Sequence, residues 1–103
     1  MTITLQGDLG KPRPAVIVET NRMQSSTHVL VCPGTSVVRP DVEPRRVLVL
    51  PDESNCLRSP THFQIDRVIG IRRESCGTVI GRLSPDVMTE IDERLMTILG
   101  LAE

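Results

Sequence analysis

Short runs of apolar, mostly β-branched residues are the feature that most constrains how this chain can fold. The runs at residues 15–18, 28–32 and 46–50 are each four or five residues long. Runs of this length and composition are typical of buried strands rather than of helices. Pro33-Gly34 and Pro51 follow the second and third runs and are expected to end them. The chain is therefore predicted to be built mainly from strands.

Weaker patterns add further strands. Apolar and polar residues alternate over residues 1–6 and 61–65, which is the period of a strand with one covered face. Residues 68–72 are expected to continue as an extended segment. Residues 75–78 are predicted to form a turn that leads into a short strand at residues 79–80. Because short loops join sequential strands, we expect an antiparallel arrangement.

One helix is predicted near the end of the chain. Ser84 suits the N-cap, Pro85 the first helical position, and Gly100 the position just after the last turn. Asp86 adds a negative charge to the first turn, where the helix dipole is positive. Apolar residues then recur every three or four positions, at Val87, Met88, Ile91, Leu95, Ile98 and Leu99. This stripe predicts packing against a sheet or a partner.

The length of 103 residues fits one domain, covering residues 1–103. We predict a mainly β domain with α structure: a small, bent antiparallel sheet or partly open SH3-like barrel, with the C-terminal helix packed on it. Phe63 is the only aromatic residue, which argues against a platform that stacks bases on exposed rings.

The charge pattern favours binding of an anion at one local site over binding through positive charge spread across the whole surface. A net charge of −1 excludes a nucleic-acid binder that works through bulk positive charge. Eleven of the twelve cationic side chains are arginine, whose planar group suits phosphate. The base composition of the genome would explain the arginines equally well, and the sequence leaves both explanations open.

No membrane segment, metal site or cofactor is predicted. No stretch approaches the ~20 apolar residues of a membrane helix, and the first six residues lack the features of a signal peptide. Cys32, Cys56 and Cys76 are widely spaced, which argues against disulfides and a zinc site. Cys32 lies in a buried run and is predicted to belong to the core. We expect a reduced, cytoplasmic, metal-free protein without a cofactor.

Three polar groupings are candidates for chemistry. Residues 11–14 (Lys-Pro-Arg-Pro) place two cations where prolines restrict the backbone. Residues 34–36 (Gly-Thr-Ser) offer two hydroxyl groups and backbone amides, and residues 55–61 form a polar loop that contains Arg58. Each grouping also has a simpler explanation, namely a surface ion pair, a turn and a solvated connection. For each grouping, the residues alone do not decide between a chemical role and the simpler explanation.

The histidines predict no active site by themselves. His28 and His62 lie in predicted strands and have no nucleophile nearby in the sequence. Because His62 is followed directly by Phe63 on a strand, one of the two is expected to face solvent.

Together, the order and spacing of these groupings resemble the MazF/PemK toxin family. The run from Leu5 to Val18 resembles its Gly-Lys-x-Arg-Pro-Ala-Val-Val signature, and residues 55–61 (Asn-Cys-Leu-Arg-Ser-Pro-Thr) resemble its Asn-Gly-Leu-Arg-Lys-Pro-Ser segment. Residues 64–68 are similar to its Val-Asp-Lys-Ile element. Residues 79–83 and the helix that follows are similar to its Ile-Gly-Arg-Leu motif and terminal helix. The resemblance covers nearly the whole chain.

The resemblance implies a homodimeric, metal-independent endoribonuclease of a type II toxin–antitoxin system. Such an enzyme cuts single-stranded RNA, here expected to be mRNA, at short sequences by attack of a ribose 2′-hydroxyl on the adjacent phosphorus. Its antitoxin is a small protein whose flexible acidic tail lies along the RNA groove.

The resemblance also assigns roles to residues. It implies catalytic roles for Arg13 and Thr35, with Arg13 stabilising charge because a guanidinium is a poor base. Asp66 is either a base or a structural carboxylate. The RNA contacts that it implies are Lys11, Ser36, Arg58, Thr61 and Gln64.

Two departures from the family and two alternative functions remain open at this point. The family usually has a basic-Gly-Asp stretch before its first strand, whereas only six residues precede Gly7, so a short first strand or a late start is expected. Cys56 stands where the family commonly has glycine, and a positive φ there would cost a cysteine about 1 kcal/mol. The first alternative is a non-catalytic member that binds only the antitoxin. The second is a CcdB-like poison of DNA gyrase, although that branch has a tryptophan near its C-terminus and this chain has none.

Overall fold

A computed structural model of the protein describes residues 2–6, 12–18, 27–37 and 45–101. These residues form strands β1 (Thr2–Gln6), β2 (Pro12–Ile17), β3 (His28–Thr35), β4 (Arg46–Val49), β5 (Thr61–Gln64), β6 (Ile69–Arg72) and β7 (Cys76–Gly81), followed by helix α1 (Pro85–Ile98). Two single turns of 3₁₀ helix, Ile65–Arg67 and Arg73–Ser75, flank β6.

The described strands join into one antiparallel sheet in the order β4-β5-β3-β2-β1-β7, and β6 pairs with β3. Strand β3 is the centre of this arrangement, because its eight residues pair with three other strands. Its first half pairs with β6, its middle with β2, and its last two residues with β5. The predicted class, a bent and open antiparallel sheet with one C-terminal helix, is confirmed.

The prediction that Pro33-Gly34 ends β3 is wrong. The strand continues to Thr35, with Pro33 opposite Ala15 of β2 and Gly34 opposite Phe63 of β5. Pro-Gly is a turn signal only when local preferences decide the conformation, and here contacts with two distant strands decide it.

Gly34 is required because the neighbouring strands approach closely. A Cβ atom at this position would lie 2.6 Å from Cγ2 of Thr61 and 3.1 Å from both Cε1 of Phe63 and the carbonyl oxygen of Pro14. A glycine is therefore what allows β2 and β5 to pack together against the end of β3.

The predicted turn at residues 75–78 is also wrong. The chain reverses earlier, in the Arg73–Ser75 turn, where the backbone N–H of Arg73 donates to the carbonyl oxygen of Thr27 at 2.9 Å. Strand β7 therefore begins at Cys76 and pairs with β1 in an irregular register.

The core lies on both faces of the sheet. Neighbouring residues of β2 point to opposite faces, so Val16 belongs to a large cluster with α1, and Ala15 to a smaller cluster on the other face. The large cluster consists of Val16, Cys32, Val47, Val49, Leu57, Phe63, Ile65, Leu83 and Ile91. The smaller one consists of Ala15, Val29 and Val31.

Helix α1 forms where the sequence predicts it. The Ser84 hydroxyl accepts a hydrogen bond from the backbone N–H of Val87 at 3.2 Å, and Gly100 has a φ of 74° just beyond the last turn. Met88, Leu95 and other residues of the stripe pack on the large cluster. Leu99 is 58% exposed, so the packed stripe ends before it.

The expectation that either His62 or Phe63 faces solvent is wrong. Both are buried, because β5 lies between β3 and β4 and is covered on both faces. Among the described residues, neither Nδ1 of His62 nor Oε1 of Gln64 has a hydrogen-bond partner, although both atoms are buried.

The core assignment of Cys32 is confirmed, since its side chain is fully buried. Burial, with a smaller contribution from the negative charge of Asp66, raises the pKa of the Cys32 thiol to about 12. Burial also raises the pKa of the Cys76 thiol, and the charge of Arg73 partly opposes this effect. Cys32 is therefore protonated at neutral pH and unreactive in the folded protein.

We predict that Gly34→Ala lowers the free energy of unfolding by about 1–3 kcal/mol, because the added methyl group overlaps Thr61 and Pro14. Denaturant unfolding measures the change. Gly70→Ala in β6 is the matched control, since its added Cβ would meet only Leu30, at 3.7 Å. That variant should be neutral or slightly stabilised. An equal loss of stability in both variants would contradict this account of Gly34.

Candidate active-site cleft

A cleft with two lobes lies where the start of β2, the end of β3 and the loop before β5 meet. The two lobes share the residues Arg13, Pro14, Ser59 and Thr61. The hydroxyl lobe, of about 300 Å³, is lined in addition by Gly34, Thr35, Ser36 and Val37. The apolar lobe, of about 470 Å³, is lined in addition by Cys56, Leu57, Arg58 and Ile80.

The hydroxyl lobe presents hydrogen-bond donors around an arginine. The Thr35 Oγ1 accepts a hydrogen bond from the backbone N–H of Val37 at 3.1 Å. Among the described residues, no acceptor for the hydroxyl proton of Thr35 is found. The Thr61 hydroxyl, by contrast, donates to the carbonyl oxygen of Ser59 at 3.0 Å.

The electrostatics of the cleft favour an anion. Arg13 and Arg58 are exposed and contribute two positive charges to its lining. Among the described residues, no carboxylate lies within ion-pair distance of either side chain. The simpler explanation of Arg13 as half of a surface ion pair therefore finds no partner in this part of the chain. Guanidinium groups and hydroxyl donors together are the groups that proteins use to hold phosphate.

The loop before β5 is held rigidly by Asn55, whose side chain is fully buried. Its Oδ1 accepts from the backbone N–H groups of Asp52 at 3.1 Å and Leu57 at 3.0 Å, and its Nδ2 donates to the Leu50 carbonyl at 2.9 Å. The Asp52 carboxylate in turn accepts from the backbone N–H groups of Ser54 and Asn55. Because this network fixes the loop, it also fixes the cleft residues that follow.

Strand β7 supports the loop from the other side. The backbone N–H of Arg82 donates to the Ser54 carbonyl at 2.9 Å. A Cβ atom at Gly81 would lie 2.5 Å from the same oxygen, so a glycine is needed for this approach. The contact brings Ile80 to the apolar lobe.

Cys56 has a φ of 56°. This is the left-handed conformation that would be costly for a cysteine at the position where the family commonly has glycine. The residue is exposed, and its thiol donates a weak hydrogen bond to the Glu53 carbonyl, with 3.9 Å between Sγ and the oxygen. A glycine would adopt this backbone conformation without strain.

The structure brings together five of the seven site residues predicted from the sequence. These are Arg13, Thr35, Ser36, Arg58 and Thr61, which all line the cleft. Lys11 lies outside the described residues. Gln64 is 9% exposed and lines neither lobe. Asp66 is exposed in the Ile65–Arg67 turn and does not line the cleft either.

Sequence reasoning missed three residues that shape the cleft. Ser59 lines both lobes, although the sequence analysis assigned it no role of its own. Asn55 organises the loop, and its place three residues after Asp52 is the local signal that could have identified a side-chain-bonded turn. Ile80 lies in β7, 22 positions after Arg58, and no local sequence pattern indicates that the two residues line the same lobe.

The described part of the chain holds neither a cluster of metal ligands nor a membrane-spanning helix. Within the described ranges, no three His, Cys, Asp or Glu side chains are grouped closely enough to hold a metal ion. No helix in the same part of the chain is long and apolar enough to cross a membrane.

Fold and cleft together define a small β protein whose open sheet carries a cleft of arginines and hydroxyl groups. A family model described as PemK-like, MazF-like toxin of type II toxin–antitoxin system matches residues 2–99. The curated Probable endoribonuclease MazF of Mycolicibacterium smegmatis is 31% identical over 93 residues, covering 90% of this chain and 84% of that protein.

Solved structures show the same fold. The Mycobacterium tuberculosis toxin MazF-mt6 has a TM-score of 0.82 at 26% identity, covering 99% of this chain and 98% of that one. An endoribonuclease from a mycobacterial species, in complex with its cognate antitoxin, has a TM-score of 0.79 at 22% identity, covering 99% and 93%.

The chain therefore belongs to the PemK-like, MazF-like toxins of type II toxin–antitoxin systems. The prediction made from its motifs, a MazF/PemK-type toxin, is confirmed.

We predict that Asn55→Ala lowers the free energy of unfolding by about 2 kcal/mol, because it removes a buried hydrogen bond to the Leu57 N–H and two partly buried ones to Asp52 and Leu50. Thermal or denaturant unfolding measures the loss. Ser54→Ala, an exposed change in the same loop, should stay within about 0.5 kcal/mol of the wild type. If both variants were equally stable, the loop would not depend on the Asn55 network.

Proposed function

We propose that this toxin is a metal-independent endoribonuclease that cuts single-stranded RNA in the two-lobed cleft. The products are a 2′,3′-cyclic phosphate and a 5′-hydroxyl. The observation that supports this most directly is that Arg13 and Thr35 line the same lobe, although 22 positions separate them in the sequence. A charge-stabilising cation and a hydroxyl donor around one small space suit a phosphate that gains negative charge.

In the reaction, the ribose 2′-oxygen attacks the adjacent phosphorus and its proton leaves. The bond from phosphorus to the 5′-oxygen breaks, and that oxygen takes up a proton. Arg13 faces the growing negative charge of the five-coordinate phosphorus and donates hydrogen bonds to its oxygens. The Thr35 hydroxyl, which accepts from the Val37 N–H, donates its own proton to a non-bridging oxygen, since such an oxygen can only accept.

In this proposal solvent water, which reaches the exposed lining of the cleft, takes up the proton of the 2′-hydroxyl and protonates the leaving 5′-oxygen. The described part of that lining contains no carboxylate and no imidazole. Arg13 remains protonated throughout and serves electrostatically. Asp66, which the sequence left open as a base, lies away from the cleft and fits a structural role better.

The remaining cleft residues bind the RNA strand on either side of the reacting phosphate. Ser36 and Thr61 extend the hydroxyl lobe, and Arg58 provides a second cation at the apolar lobe. Lys11 and Gln64 stay predictions as RNA contacts. The expected target class is mRNA.

The toxin acts with two protein partners in this proposal. The first is a cognate antitoxin, whose acidic, extended tail would compete with RNA for Arg13 and Arg58. The second is another copy of the chain, in a cytoplasmic homodimer. Several large apolar side chains are exposed and suit such contacts: Leu30, Leu48, Leu50, Ile69, Val79, Met96, Leu99 and Leu101.

We predict that the purified protein cuts a long single-stranded RNA in EDTA, and that Arg13→Ala lowers the cleavage rate by about 10²–10³-fold. Thr35→Val should also slow cleavage, since it removes the donor and keeps the shape of the side chain. End-group analysis of the products identifies the chemistry. Arg67→Ala is the charge-matched control, because Arg67 is exposed and lies away from the cleft.

Folding is monitored in parallel, and light scattering should give a mass of twice 11.4 kDa for each protein. If a folded wild type leaves RNA intact, the ribonuclease proposal fails. Inhibition of DNA gyrase would then point to the CcdB-like alternative, and antitoxin binding alone to a non-catalytic member.

A further inference from the structure

Cys56 has an unusual backbone conformation that its own contacts do not compensate. Of the described residues other than glycine, it alone has a positive φ, at 56°. This conformation is strained for a residue that carries a Cβ atom and unstrained for glycine. The side chain is exposed and gains little from burial, and the contact between its Sγ and the Glu53 carbonyl, at 3.9 Å, is weak. Stability therefore does not explain why a side chain is present here.

The place of this side chain suggests a role. Cys56 lines the apolar lobe together with Leu57 and Ile80, which contribute aliphatic surface, and Arg58, which contributes a planar cation. The lobe has about 470 Å³, enough space for an unpaired nucleobase. Bases that are not stacked in a helix bind to such apolar surfaces and to the planes of guanidinium groups.

The two lobes are close enough to be used by one nucleotide. They share Arg13 and Thr61, so a phosphate held in the hydroxyl lobe leaves the base on the same backbone beside the apolar lobe. The chain offers no exposed aromatic ring to this base, since its single aromatic residue, Phe63, is buried in the core.

We propose that the apolar lobe binds one nucleobase next to the cleaved phosphate, and that the Cys56 side chain limits the size of the base that fits. The proposal rests on the ribonuclease function proposed above and adds a specificity-determining residue to it. A glycine at this position would widen the lobe and relieve the backbone strain at the same time.

The test uses a synthetic pool of single-stranded RNA with randomised sequence, cut by the full-length protein, with sequencing of the ends that carry the 5′-hydroxyl. For Cys56→Gly we expect the preference at one fixed position beside the cut to shift about tenfold toward purines. The melting temperature should rise or stay the same. Ser54→Ala, in the same loop but outside the lining of the cleft, should keep the wild-type preference.

Ile80→Ala widens the lobe from the opposite wall and should shift the preference at the same position. If the wild type cuts RNA and both widened variants keep its sequence preference, the inference is overturned while the ribonuclease function stands. A Cys56→Gly variant that changes only in stability would assign the residue a structural role and overturn the inference as well. If the wild type cuts nothing in the pool, both proposals fail together.

Discussion

The close approach of three strands at Gly34 is the constraint on which the rest of the structure depends. A side chain there would overlap Thr61 of β5 and crowd the carbonyl oxygen of Pro14 in β2. Because glycine leaves this space free, the start of β2 and the start of β5 both reach the end of β3. Arg13 and Thr35, far apart in the sequence, come to line one lobe as a result. The close packing at Gly34 therefore determines both the arrangement of the strands and the lining of the cleft.

The loop before β5 completes the cleft by a different physical means. Hydrogen bonds to the buried Asn55 side chain hold its backbone. One residue further on, the chain takes a strained conformation at Cys56 and then presents Arg58 to the cleft. A rigid loop suits this task, because an arginine that is already oriented loses less entropy when it binds a phosphate. The strained backbone at Cys56 and the hydrogen-bonded loop around Asn55 therefore both lie at the cleft.

Local signals predicted most of the fold but only part of the site. Helix α1 was predicted with its cap at Ser84 because capping and apolar spacing are local properties. The end of β3 and the exposure of β5 were predicted wrongly, since pairing with a distant strand overrides the turn signal at Gly34 and tertiary packing buries both His62 and Phe63. In the cleft, the motif resemblance identified Arg13 and Thr35, but no local pattern indicated that Ile80 lines the apolar lobe together with Arg13.

The most direct test of this account is a crystal structure of the toxin with a single-stranded RNA that lacks the 2′-hydroxyl at the cleavage site. Such an RNA binds but cannot react. The account predicts one phosphate in the hydroxyl lobe, within about 3 Å of both the Arg13 guanidinium and the Thr35 hydroxyl. An RNA bound across another surface, with no phosphate near either side chain, would contradict it.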